Sequence, residues 1–171
     1  ENINILNEKE SVTRDKKSTD NGFMSSHSIE EKSYQEYASG STIIGNNIIL
    51  DARNDINVKA SNIIAVKNDN IQSSGGNIIV TAGNDINISS ATTDSMSASY
   101  HSESTGIGSL AISAEGAQSN QYQQRQNRSN IIANGGNIIF SSGDDTTIAG
   151  STIKTTDNIS VRAVGDVVIT G

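Results

Sequence analysis

The chain has 171 residues, a formal net charge of −7 and 4% aromatic residues, and it lacks Trp, Cys and Pro. Few rings argue against a large globular core, and the lack of Cys excludes disulfides and thiolate chemistry. The negative charge argues against nonspecific binding to nucleic acid, which needs clustered Lys and Arg. The longest basic cluster, Arg14, Lys16 and Lys17, is interrupted by Asp15 and is interpreted as a solvated polar face. No apolar run reaches the roughly 18–20 residues of a membrane span, and no signal peptide is evident.

The first predicted element is a short strand at Asn2–Ile5, which matches the second strand of each later repeat. We therefore expect the chain to be a fragment of a longer protein, with any targeting signal outside it. A polar excursion over residues 6–40 follows and is rich in Ser, Glu and Lys. In it, Ile29, Tyr34 and Tyr37 are candidates to anchor either a strand or a helical turn, and both alternatives stay open.

The repeat itself occupies residues 41–88 and 131–171. In each copy an Asn opens a strand whose apolar residues lie two positions apart, and an Asp eight residues later opens a second strand. These turn residues are Asn47, Asn77, Asn137 and Asn158, followed by Asp55, Asp85, Asp145 and Asp166. A third, shorter strand is predicted near Ile43, Ile71, Ile132 and Ile153. Residues 61–70 exceed the length of one copy and are predicted to form a bulging loop that keeps Ile63 and Ile64 inside.

A second polar excursion, residues 89–130, separates the two groups of repeats. Met96, Ala98 and Tyr100 alternate with Ser residues, and Leu110 and Ile112 are spaced in the same way. Alternation with period two is typical of strands, so the pattern predicts a projecting hairpin.

Three short strands within about 20 residues describe one coil of a parallel β-solenoid. One coil cannot bury its own Ile residues, but coils stacked at roughly 4.8 Å can, because equivalent side chains then form columns. The Asn residues are expected to stack into amide ladders or to adopt left-handed backbone, and each Asp is expected to cap its own backbone. The predicted core consists of Ile48, Leu50, Ile56, Val58, Ile78, Val80, Ile86, Ile88, Ile138, Phe140, Ile148, Ile159, Val161, Val167 and Ile169.

Three segments closely resemble the hemagglutinin repeats of filamentous-hemagglutinin-like exoproteins. They are Gly75–Ile88, Gly150–Ile153 and Gly165–Ile169. The alternation of coils with Ser-rich excursions is similar to the second repeat region of contact-dependent growth inhibition effectors. The resemblance implies a right-handed parallel β-helix that spans residues 1–171 and is exported to the exterior of Gram-negative bacteria. It also implies two partners, the outer-membrane transporter of two-partner secretion and the envelope of a target cell. The function it implies is a structural segment of a toxin-delivery filament or, alternatively, of an adhesin shaft; an autotransporter passenger is a further alternative.

A carbohydrate-active β-helix enzyme is the competing class, so catalytic groups must be sought. Asp144 and Asp145 are the only adjacent acidic pair in the coils, and no basic residue recurs beside the Asp positions. His27 and His101, the two histidines, lie in separate excursions and are interpreted as a poor metal site. The sequence therefore predicts no catalytic residues, no cofactor and no bound metal. The predicted contact surface comprises Tyr34, Tyr37, Tyr100 and Tyr122. End-to-end self-association of the fragment is expected because solenoid fragments lack caps.

Overall fold

A computed structural model describes residues 1–67, 75–107 and 110–171, with only the backbone described for 107 and 110–114. All regular structure in these residues is β. The strands are β1 (Ile3–Ile5), β2 (Asn7–Asn21), β3 (Ser25–Gly40), β4 (Thr42–Gly45), β5 (Ile48–Ala52), β6 (Ile56–Lys59), β7 (Asn62–Val66), β8 (Ile78–Ala82), β9 (Ile86–Ser89), β10 (Ala91–Ile107), β11 (Leu110–Asn127), β12 (Asn130–Asn134), β13 (Ile138–Ser142), β14 (Thr146–Ala149), β15 (Thr152–Thr155), β16 (Ile159–Ala163) and β17 (Val167–Thr170).

The chain forms two compact units. The first, here called the coil unit, comprises Glu1–Glu8, Ala38–Thr92 and Gln126–Gly171. The second, here called the hairpin unit, comprises Lys9–Tyr37 and Thr93–Arg125. The predicted excursions, 6–40 and 89–130, thus supply the hairpin unit, and the repeats supply the coil unit.

Three parallel sheets make up the coil unit. Sheet I has the order β15-β12-β7-β4, sheet II the order β16-β13-β8-β5, and sheet III the order β1-β6-β9-β14-β17. The chain passes from sheet I to II to III in each winding, and each strand pairs in parallel with its equivalent in the next winding. Parallel sheets visited in rotation are compatible with the predicted β-helix.

Alternation along each strand separates the core from the surface. Ile78 and Val80 of β8 are buried, while Ile79 between them points the other way. Position by position, Ile48, Ile78 and Ile138 align across sheet II, and Ile159 follows in β16. Equivalent side chains therefore form a column, and no single winding has to bury its own apolar residues.

The equivalent apolar positions of sheets II and III are more exposed in the last winding. Ile159 is 48% exposed, Val167 45% and Ile169 66%, so their predicted place in the buried core is wrong. The reason is that β16 and β17 are edge strands of sheets II and III in the described structure, with no strand stacked beyond them. Leu50 and Val161 are partly buried and pack against the core. The remaining predicted core residues are buried, namely Ile48, Ile56, Val58, Ile78, Val80, Ile86, Ile88, Ile138, Phe140 and Ile148.

The sheet I strand of the second winding differs from its prediction. Strand β7, Asn62–Val66, pairs with β4 and β12, and its Ile63 is fully buried. The predicted bulging loop over 61–70 is therefore wrong for residues 62–66, and the extra length of this winding comes after Val66. Ile71, near which this strand was predicted, lies outside the described residues. In β12 the buried residue is Ile131, one position before the predicted Ile132.

Strands β2, β3, β10 and β11 form a separate four-stranded sheet with the order β11-β10-β3-β2. β10 and β3 are antiparallel, with Ser95 opposite Gln35 and Thr105 opposite Ser25. Ile29, Tyr34 and Tyr37 all lie in β3, so the first excursion contains a strand and not a helical turn there.

Both excursions leave the coil unit at equivalent points. β2 follows β1 and β10 follows β9, which are both strands of sheet III, and each excursion returns to a strand of sheet I. A Ser stands at this corner in each winding, and successive Ser residues bond to each other: the Ser41 amide donates to Ser61 Oγ, and the Ser61 amide donates to Ser129 Oγ. Ser61 and Ser129 are fully buried. The same buried corner between sheet III and sheet I is therefore compatible with either a tight turn or a long insertion.

Candidate functional site

The predicted Asn positions form a ladder in the coil unit. The amide N–H of Asn77 donates to Asn47 Oδ1 at 3.1 Å, that of Asn137 to Asn77 Oδ1 at 2.9 Å, and that of Asn158 to Asn137 Oδ1 at 3.1 Å. Side-chain amides add further rungs, such as Asn158 Nδ2 to Asn137 Oδ1 at 3.2 Å. Each Asn thus satisfies a turn amide of the following winding, which is a structural role.

The Asp positions form a second column with a different partner from the one predicted. The carboxylates of Asp55, Asp85 and Asp145 each accept from the backbone N–H of the next Asp in the column, instead of capping their own backbone. The distances are 3.4 Å from Asp85 N to Asp55 Oδ1, 3.1 Å from Asp145 N to Asp85 Oδ1 and 2.7 Å from Asp166 N to Asp145 Oδ1. No ion pair in the described part of the chain includes these four residues. The column therefore links windings and has no basic partner of the kind that polysaccharide-cleaving sites use.

All four tyrosines belong to the hairpin unit. Tyr34 faces the same side of the sheet as Met96, its partner across β3 and β10, and an open groove is lined by Tyr34, Met96 and Tyr122. Tyr100 lies four residues after Met96 and so points to the same side, whereas Tyr37, three residues after Tyr34, points to the other. The predicted contact surface is thus divided between two faces.

Two carboxylates hold the tyrosines of the groove. Tyr34 Oη donates to Glu36 Oε1 at 2.9 Å, while Lys9 Nζ and the backbone N–H of Asp94 donate to Glu36 Oε2 at 3.2 and 3.1 Å. Tyr122 Oη donates to Asp94 Oδ1 at 2.9 Å. The network therefore ties three strands of the sheet, β2, β3 and β10, to the end of β11.

These hydrogen bonds shift the pKa values of the groups that share them. The Tyr34 hydroxyl, followed by the Asp94 amide, lowers the pKa of Glu36. Gln124 and then Tyr122 lower the pKa of Asp94. In return, the hydrogen bond to each carboxylate raises the pKa of Tyr34 and of Tyr122. At neutral pH the carboxylates are charged acceptors and the hydroxyls are donors, so the network is complete.

The two histidines, which the sequence left in separate excursions, meet in the hairpin unit. His27 of β3 lies opposite Glu103 of β10, and His101 precedes Glu103 by two residues on the same face. His27 Nδ1 is 3.1 Å and His101 Nε2 is 3.2 Å from Glu103 Oε1, and the imidazole ring centroids are 4.5 Å apart at 71°. The interpretation as a poor metal site assumed two distant residues, and the strand register removes that assumption. Spacing within either excursion could not reveal the pair; only the register of β3 on β10 does.

The described residues contain no helix that is long and apolar enough to span a membrane. Searches of curated proteins and of solved structures found no match. A comparison with protein families matches residues 22–171 to the family described as hemagglutinin repeat. The match extends over the second half of the first excursion, the whole second excursion and every winding from Thr42 onward, so it supports a filamentous-hemagglutinin-like repeat region. Proteins with these repeats are generally secreted or exposed at the cell surface. The chain belongs to the hemagglutinin repeat family.

Proposed function

We propose that this chain is a non-catalytic segment of a right-handed parallel β-helical filament on the exterior of a Gram-negative bacterium. One observation carries the proposal: strands of successive windings pair in register in all three sheets of the coil unit. Hydrogen bonds between windings then run along one direction, and every added winding extends the same columns of side chains. Such a structure bears load and spans distance, and it does not need a catalytic centre.

The fixed turns support a mechanical role. Asn and Asp columns satisfy the turn amides of neighbouring windings, so turns are held to one another as well as strands. Net contributions of about 0.5–1.5 kcal/mol per hydrogen bond accumulate with the number of windings. The same contacts argue against a polysaccharide-cleaving site at the Asp column, because the carboxylates already accept backbone N–H groups.

The hairpin unit is proposed as the interaction surface. It contains all four tyrosines, and Tyr37, Tyr100 and Tyr122 are each about half exposed. Rigid amphipathic rings are typical of protein contact surfaces. We infer that this surface meets the target-cell envelope while the filament, secreted by a two-partner transporter, delivers a toxin in contact-dependent growth inhibition. An adhesin shaft is the alternative, and deletion of this segment distinguishes a delivery filament from an adhesin shaft.

The test uses the full-length protein in the bacterium that encodes it. The codons for residues 1–171 are deleted in frame, and surface display, attachment to target cells and inhibition of susceptible neighbours are measured. For a delivery segment we expect display and attachment to persist while inhibition is lost. Loss of attachment would instead identify an adhesin shaft, and unchanged attachment and inhibition would contradict both functions.

A pair of substitutions in the full-length protein tests the surface. Tyr100→Ser removes a ring that is 48% exposed, whereas Tyr100→Phe keeps the ring and serves as the matched control. We expect inhibition to fall with the first variant and to persist with the second. Equal activity of both variants would remove Tyr100 from the proposed contact surface.

We also propose that this chain stacks end to end through its edge strands. Ile169 in β17 is the equivalent of the buried Ile148, yet it is 66% exposed. Sedimentation velocity at increasing concentration should detect association that Ile169→Lys weakens. The control, Ile139→Lys, places the same charge on the outward face of an inner strand and should leave association unchanged. A monomer at all concentrations would contradict this proposal.

A further inference from the structure

We propose that His27, His101 and Glu103 form a binding site for a single divalent transition-metal ion of the zinc type in the hairpin unit. One ligand atom from each residue lies within 4.8 Å of the other two. The site is independent of the proposed function, because it rests on three side chains of one sheet and not on what the filament does.

The distances are close to those that a bound ion requires. In a tetrahedral zinc site the bonds are roughly 2.0–2.1 Å, which places ligand atoms about 3.3 Å from each other. The separations of 3.1 Å between His27 Nδ1 and Glu103 Oε1, and 3.2 Å between His101 Nε2 and Glu103 Oε1, are already near this value. Binding then needs the ligand nitrogens of the two imidazoles, which lie within 4.8 Å of each other, to approach to about 3.3 Å.

The backbone holds the three residues in place before any ion arrives. His27 and Glu103 are directly opposed in the antiparallel pairing of β3 and β10, and the pairs on both sides, Ser26 with Ser104 and Ser28 with Ser102, continue the register. His101 projects from the same face two residues earlier. Ligands on paired strands lose less freedom on binding than ligands on loops, which favours affinity.

The donor set selects the class of ion. Two imidazole nitrogens and one carboxylate oxygen suit Zn²⁺, Ni²⁺, Cu²⁺ or Co²⁺, whereas Ca²⁺ and Mg²⁺ prefer oxygen ligands alone. The side chains of His27, His101 and Glu103 are 39%, 43% and 61% exposed, so the ion would have open access to water for its remaining positions. This exposure also gives the ion an entry path.

The ion would join the two excursions. His27 belongs to the first and Glu103 to the second, 76 residues later. A bond through the ion between β3 and β10 therefore closes a long chain segment and stabilises the folded sheet relative to the unfolded chain.

The test is calorimetric titration of the tag-free, metal-free chain of 171 residues with ZnCl₂. Because the chain has two His and no Cys, binding that depends on imidazole can only use this pair. We expect one Zn²⁺ per chain, with CaCl₂ and MgCl₂ giving no comparable heat. His27→Gln and His101→Gln should each weaken Zn²⁺ binding by at least about tenfold, the lower limit seen when even an outer partner of a metal ligand is removed. Glu103→Gln should weaken it as well.

A matched control is Glu31→Gln. Glu31 lies on the same face of β3 as His27, and its carboxylate pairs with Lys16 and not with the histidines. This variant should bind Zn²⁺ normally. As a second readout, Zn²⁺ should raise the thermal unfolding midpoint followed by tyrosine fluorescence, and circular dichroism of each variant establishes that it is folded.

Three results would overturn the site: no Zn²⁺ binding by the folded chain, Zn²⁺ binding that survives both histidine substitutions, or one ion per two chains. The second result would mean that the ion binds surface carboxylates. The third would mean that the ligands come from different molecules.

Discussion

The strongest test of the fold compares two neighbouring isoleucines of β13. Ile138 is fully buried between Ile78 and Ile159 in the column of sheet II, whereas Ile139 is 37% exposed on the outward face. Ile138→Ala and Ile139→Ala remove the same atoms from the same strand. Loss of strand propensity is therefore common to both variants, and their difference isolates the burial in the column.

The expected magnitude follows from burial. Ile138→Ala removes the equivalent of about three methylenes, worth about 0.8 kcal/mol each, and the cavity adds more, giving about 3–4 kcal/mol. Ile139→Ala leaves no enclosed cavity and should cost about 1 kcal/mol. We expect the free energy of unfolding of the coil unit to differ by at least about 2 kcal/mol between the variants.

Urea unfolding followed by two signals measures this difference. Far-UV circular dichroism reports on strands of both units, while tyrosine fluorescence reports on the hairpin unit, which contains all four tyrosines. We expect Ile138→Ala to lower the urea midpoint seen by circular dichroism, with little change in the slope that reflects exposed surface. Equal destabilisation by the two variants would refute the column of stacked side chains, and with it the β-helical interpretation.

Three further predictions use the same assays. Asn77→Ala removes the oxygen that accepts the Asn137 amide and should cost about 1–2 kcal/mol in urea unfolding, while Asn77→Asp, which keeps an acceptor oxygen, should cost less. Gly150→Ala should lower the free energy of unfolding by more than about 1 kcal/mol, because φ is +54° there. Ala60→Gly, at the equivalent corner with φ +45°, should be neutral or slightly stabilising. A larger loss of stability from Ala60→Gly than from Gly150→Ala would contradict the strain argument. Because the folded-state pKa of Glu36 is lowered, its stabilisation is complete at neutral pH and is lost as the pH falls below about 4. The thermal midpoint from tyrosine fluorescence should therefore fall as the pH is lowered below about 4, the ordinary range of a Glu carboxyl, and Glu36→Gln should make this fall smaller.

The windings could be predicted because their signal is local and repeated. An Asn, two apolar positions and an Asp eight residues later are enough to identify sheets II and III, and Ile48, Ile78 and Ile138 align as the repeat indicates. Burial at the final winding could not be predicted in the same way. Ile159 has the pattern of a core residue, but its exposure depends on what stacks against it, which a single strand pattern does not contain.

The histidine cluster shows a second limit of sequence reasoning. Strands β3 and β10 are long, polar and rich in Ser, so almost any register would satisfy their side chains, and pattern alone cannot select the observed one. His27 and Glu103 are brought together by that register and not by any motif. The strand β7 was missed for a related reason, since its short alternation stands beside a long insertion and was interpreted as part of a loop. The burial of Ile63 itself was expected.

Because both hairpins are inserted at the same serine-lined corner, the chain consists of repeated modules. One module is a hairpin plus two windings, and its first and last strands belong to the same sheets as those of the next module. A gene segment that encodes a whole module can be duplicated or deleted by recombination without creating a new kind of interface. The number of windings can thus change in evolution in fixed steps of two, and each step adds one more hairpin.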